Sequence, residues 1–72
     1  MASTPILYAI RIRGQLGATC LSAFPSLMPH ADGRDTVLTG LLPDRSALYA
    51  TVAEVEALGL DLLELKNLTP DR

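Results

Sequence analysis

The side chains on which chemistry would have to be built are few: one cysteine, one histidine, and two arginines on a single strand. Cys20 and His30 are each the only residue of their type among 72. A thiolate and an imidazole make a nucleophile and its base only where they touch, and these two fall on different elements. Cys20 is read as a small apolar side chain near the core, and His30 as an exposed residue beside a turn. A lone cysteine forms no intrachain disulfide, and one thiolate is not a zinc site. Glu54 and Glu56 are two apart, so they share no helix face and solvate it. Ser22, Ser26 and Ser46 have no neighbouring base. Arg11 and Arg13 remain, read as snorkelling side chains at the rim of an interface, or as an anion site where two copies meet.

The run Gly14-Gln15-Leu16-Gly17-Ala18-Thr19 leads from a strand towards a helix, where backbone amides bind phosphate in other proteins. The lysine of a phosphate loop and the three-glycine spacing are both missing. The loop is therefore read as a tight turn with Thr19 as helix cap. Acylphosphatase, another small βαββαβ protein, has a glycine-rich loop in the same place. Its arginine would fall near Ser22, however, and Asn67, the only asparagine, lies at the far end. That activity is rejected, and no catalytic residue, cofactor or metal is assigned.

The elements that position these residues follow from periodicity. Residues 6–13 alternate: Ile6, Tyr8, Ile10 and Ile12 point one way, and Leu7, Ala9, Arg11 and Arg13 the other, a strand with period two. Residues 15–24 hold a short first helix that Pro25 limits. Residues 26–30 make a second strand. Pro29 lacks a donor, which puts that strand at a sheet edge. Asp32-Gly33 turns the chain into a third strand at 36–42, with Val37, Thr39 and Leu41 on its core face. Gly40 marks a bulge or a close backbone approach. Asp44 caps a second helix whose stripe is Leu48, Val52, Val55 and Leu58. Gly59 and Leu60 stop it in a Schellman motif. Residues 62–68 form the last strand, with Leu63 and Leu65 inward and Glu64 and Lys66 outward. Residues 1–5 are a flexible lead-in, 6–68 the single domain and 69–72 a tail.

The fold class is α+β. The βαββαβ order is that of a ferredoxin-like, four-stranded antiparallel sheet with helices on one face. The first and third strands are expected at its centre, parallel to each other. The opposite sheet face then carries Leu7 and Ala9 with Arg11 and Arg13, and Leu38, Gly40 and Leu42. This is an apolar patch of the kind that marks interfaces.

Composition points the same way. The chain is 49% hydrophobic with only three aromatics, and 72 residues bury a thin core. Small scaffolds without disulfides or metal are commonly completed by association. A homodimer through the sheet face or an edge strand is therefore expected, with a larger protein as a further possible partner. The net charge is −2 and the basic residues are scattered, which excludes a nucleic-acid module. Met-Ala-Ser-Thr-Pro is no secretory signal and no apolar run spans a bilayer, so no membrane partner is expected and a cytoplasmic location is.

From Tyr8 to Leu65 the chain resembles a group of short, uncharacterised actinobacterial proteins. The resemblance rests on Tyr8-Ala9-Ile10-Arg11-Ile12-Arg13-Gly14, on Thr36-Val37-Leu38-Thr39-Gly40, on Asp44 followed by Leu48, and on Leu58-Gly59-Leu60. Similar proteins often carry tryptophans in the first helix, where this chain has Cys20 and Phe24. The resemblance implies the fold and no activity. The function expected is a non-catalytic interaction or regulatory module acting as a homo-oligomer. A small-molecule-binding regulatory domain with its site at a dimer seam is the alternative. A minimal enzyme assembled across subunits, using Arg11, Arg13 and Tyr8 or Cys20, comes third.

Overall fold

The computed structural model describes residues 5–69; most of the expected lead-in and tail lies outside them. The elements are β1 (Ile6–Ile12), α1 (Ala18–Leu21), β2 (Met28–Asp32), β3 (Asp35–Leu42), α2 (Arg45–Ala57) and β4 (Leu62–Asn67). The sheet order is β2-β3-β1-β4, and every neighbouring pair is antiparallel. The domain is α+β, with β2 and β4 at the edges. One expectation is overturned: β1 and β3 run antiparallel, not parallel. The crossover through α1 lays β2 down in the direction of β1. The hairpin that follows then reverses β3.

That hairpin also decides which way β3 faces. Its last pair is Asp32 with Asp35, so the loop is Gly33-Arg34. Gly33 takes a positive φ of 62°, the conformation a two-residue hairpin loop needs at its first position. Counting back from this turn sets Pro29 beside Leu38 and His30 beside Val37, while β1 sets Ile10 beside Leu38. Directly opposed residues project to the same side of a sheet. Leu38, Gly40 and Leu42 therefore face the helices, and Val37, Thr39 and Leu41 face away. This reverses the assignment drawn from β3 alone. Leu38 is 1% exposed, whereas Leu41 is 60% exposed.

The helix side of the sheet is the core. Ile10, Ile12, Leu38 and Val55 are fully buried, joined by Tyr8, Phe24, Leu27, Leu42 and Leu48. Gly40 shows why a small residue sits in mid-strand. A Cβ there would lie 2.7 Å from the Ser26 carbonyl oxygen and 2.8 Å from the Leu27 side chain. The close backbone approach is present, and the β1–β3 register runs through Gly40 without interruption.

The Asp44 carboxylate accepts from the Ala47 amide at 2.9 Å, capping α2 as its residue type favours. At the other end the Leu60 amide donates to the Val55 carbonyl and Gly59 to Glu56, with Gly59 at φ 75°. These two bonds are the Schellman pair. Leu48 and Val55 are buried and Val52 packs against them, but Leu58 is 41% exposed, so the stripe ends a turn early. α1 is one turn long and begins at Ala18, with Gly17 at the N-cap position and no side-chain cap. Thr19 lies inside it and does not cap it. Among the described residues no helix is long and apolar enough to cross a membrane.

Candidate functional site

Among the described residues nothing covers the sheet surface away from the helices, and its residues fall in rows fixed by the strand register. One end row runs Leu41, Leu7, Leu68; the next runs Met28, Thr39, Ala9, Lys66. A third holds His30, Val37, Arg11 and Glu64, and the far end holds the turn carboxylates Asp32 and Asp35. The face is thus graded, apolar at one end and charged at the other. Met28 is 65% and Leu68 43% exposed. Small side chains at the centre, Ala9 and Thr39, leave a hollow of about 270 Å³ rimmed by Arg11, Glu64, Lys66 and Leu68.

Arg11 organises the charged end. Its guanidinium donates to Asp32 and, at 3.3 Å, to Asp35, and its Nε lies 3.8 Å from Glu64. The hydrogen bond to Asp32 is the main reason its pKa is raised. The Asp32 charge and the contacts with Asp35 add to this, against a smaller desolvation effect. One arginine thus ties the β2–β3 hairpin to β4 across β1. A guanidinium held by three carboxylates is not free to take an anion. Arg13 stands beyond the strand, 69% exposed, 3.6 Å from Asp61, and does not join it. The anion site expected from these two arginines is not assembled within one chain.

The Gly14–Thr19 loop is fastened from below. The Thr36 hydroxyl donates to the Gly14 carbonyl at 2.8 Å and accepts from the Leu16 amide. Asp35 accepts from the Gly14 amide at 3.4 Å. Two of the amides a phosphate would need are already bonded. His30 Nε2 lies 2.9 Å from the Thr39 hydroxyl on the open face, while Cys20 belongs to α1 on the helix side. No hydrogen bond joins them among the described residues. Among the described residues no group of three metal-ligating side chains gathers.

Of the expected interface residues, Leu7, Ala9 and Arg11 lie half-buried on the open face, and Leu38, Gly40 and Leu42 do not lie there. Met28, Val37, Thr39, Leu41 and Leu68 take their place. Counting outward from the Asp32-Gly33 turn would have found the β3 members, because it puts Val37 on the side of the polar His30. A second concavity, about 410 Å³, lies on the helix side between α2 and the segment before β2, lined by Phe24, Leu27, Leu42, Ala47, Ala50 and Thr51. The Thr51 hydroxyl donates to the Ala47 carbonyl, so its proton is already engaged.

Residues 7–66 match a domain family of unknown function, DUF8691. The chain belongs to that family. The match runs from the second residue of β1 into β4, so the family domain takes in both faces of the sheet. No curated protein and no solved structure matches the chain.

Proposed function

We propose that this DUF8691 domain is a non-catalytic protein-interaction module that works as a homo-oligomer, joined through the sheet's open face or a free edge. The observation that carries this reading is the uncovered side of the sheet. Leu7, Leu41, Met28 and Leu68 adjoin there, and among the described residues no second layer lies over them; contiguous exposed apolar surface marks contact sites. The ionisable groups on that face are engaged with one another, Arg11 with Asp32, Asp35 and Glu64, and none stands free for catalysis. We read the βαββαβ order with β1 and β3 central as ferredoxin-like, in keeping with the resemblance to short actinobacterial proteins, and the setting as cytoplasmic.

The groove of about 410 Å³ favours a second reading, small-molecule binding, since its volume is in the range of ligand sites. Such sites also need converging polar groups to orient the ligand; here the polar lining is Ser26, Glu54 and Thr51, and the Thr51 proton is already engaged. The interaction reading is the stronger. Thermal unfolding across a hundredfold range of protein concentration tests it. An oligomer's midpoint rises with concentration by mass action. A midpoint that does not move counts against it.

A further inference from the structure

We propose that the homo-oligomer is a two-fold dimer in which β4 pairs antiparallel with β4 of a second copy, Leu65 lying opposite Leu65 of the partner subunit. This rests on the homo-oligomeric reading above and names its seam.

The two edges of the sheet are not equally open. In an antiparallel ladder, successive residues direct their backbone groups alternately to one neighbour and the other. On β4 the Leu68 amide donates to the Leu7 carbonyl. By alternation along the register, Lys66 and Glu64 also bond inward to Ala9 and Arg11. The amides and carbonyls of Leu65 and Asn67 therefore point outward. The same alternation across β1 and β3 leaves Pro29 and Ala31 facing outward on β2. Pro29 has no N–H to offer, so that edge is blunted in the usual way. No proline interrupts β4. Its bulge, where Leu63 has no residue opposite, falls at one end and limits the length of any added strand.

Charge selects the register. Glu64 and Lys66 flank Leu65 on the open-face side. With Leu65 on the two-fold axis, Glu64 stands opposite Lys66 of the partner subunit, and Lys66 opposite the partner's Glu64. The adjacent two-fold registers set Glu64 against its own copy, or Lys66 against its own copy. Like charges directly opposite destabilise a strand pair and unlike charges support it. Every two-fold register centred on a residue sets outward backbone groups against outward ones, so the side-chain charges decide among them. Leu65, on the helix side with Ile10, is 40% exposed in the single chain and meets its own copy across the axis. A face-to-face dimer would instead have to desolvate Arg11 and its three carboxylates, which is costly. Edge pairing leaves them in water and joins two open faces into one eight-stranded surface.

Sedimentation equilibrium of the full chain with Glu64→Lys, Lys66→Glu, Leu41→Asp and a one-to-one mixture of the first two tests this. Each charge variant alone sets like charges across the axis, and its self-association is expected to weaken about tenfold or more. Mixing them restores opposite charges on both sides of the axis and should return association to near the wild-type level. A variant that had merely failed to fold would not do this. Leu41→Asp leaves association unchanged. If the charge variants associate like wild type, or mixing restores nothing, the proposed seam is wrong. If Leu41→Asp alone dissociates the oligomer, the face is the seam; the homo-oligomeric reading then survives and the edge proposal falls. A wild-type mass of one chain removes both.

Discussion

The two sides of this sheet are built from the same strands and have opposite fates. On the helix side, Ile10, Ile12 and Leu38 are wholly buried against Val55 of α2. On the other, their neighbours Ala9, Arg11, Val37 and Thr39 are half-buried at most, and a ring of exposed charges closes one end. The difference teaches that this chain completes one layer of packing and leaves the next to something else. Folding energy is concentrated on one side, and the capacity for contact on the other.

The comparison breaks most visibly at its most buried points. Leu38→Ala is expected to lose about 2–5 kcal/mol, the range for truncating a fully buried leucine, as read by urea unfolding. Val37→Ala, one residue along on the open side, should lose far less. Equal losses would mean that the two sides are not energetically distinct. Gly40→Ala comes next, at about 1–3 kcal/mol, because the new methyl meets the Ser26 backbone. Gly17→Ala, where nothing lies within 4 Å, should show no such loss. Asp44→Ala should cost about 1 kcal/mol through the lost cap, visible as a lower denaturation midpoint.

Arg11→Met ranks last. Its partners are a quarter to more than half exposed, and exposed ion pairs contribute little. A thermal midpoint close to wild type is expected, with a smaller response to added salt. Because the pKa of Arg11 is raised on folding, its favourable contribution is present throughout the neutral range. It fades only as pH climbs through the folded-state value in strong alkali.

Much of this fold is legible in the residues. The alternation of 6–13, the Asp44 cap and the Gly59-Leu60 stop are local signals, and local bonds satisfy them. The face of β3 was not legible in the same way. Val37, Thr39 and Leu41 are as apolar a set as Leu38, Gly40 and Leu42, so alternation within the strand does not choose between them. The hairpin register chooses, and that is a property of two strands together. Thr19 misleads for a related reason: its hydroxyl suits a cap, but Thr36, 17 positions on in sequence, ties the loop at Gly14 and Leu16, and Gly17 takes the cap position. Leu65 lies on the helix side opposite Ile10 yet stays 40% exposed because its strand is an edge, while the bulge takes Leu63, 41% exposed, out of the alternation and Leu62 packs against the core in its place. Where sequence periodicity and burial part company on β4, the free edge lies.

A single chain leaves the β4 edge of its sheet unpaired, and a second copy of the chain pairs with it. The mass of the full chain in solution at micromolar concentration, by light scattering, tests this most directly. The account predicts two chains' worth, twice 7.7 kDa. A steady 7.7 kDa across that range would contradict it.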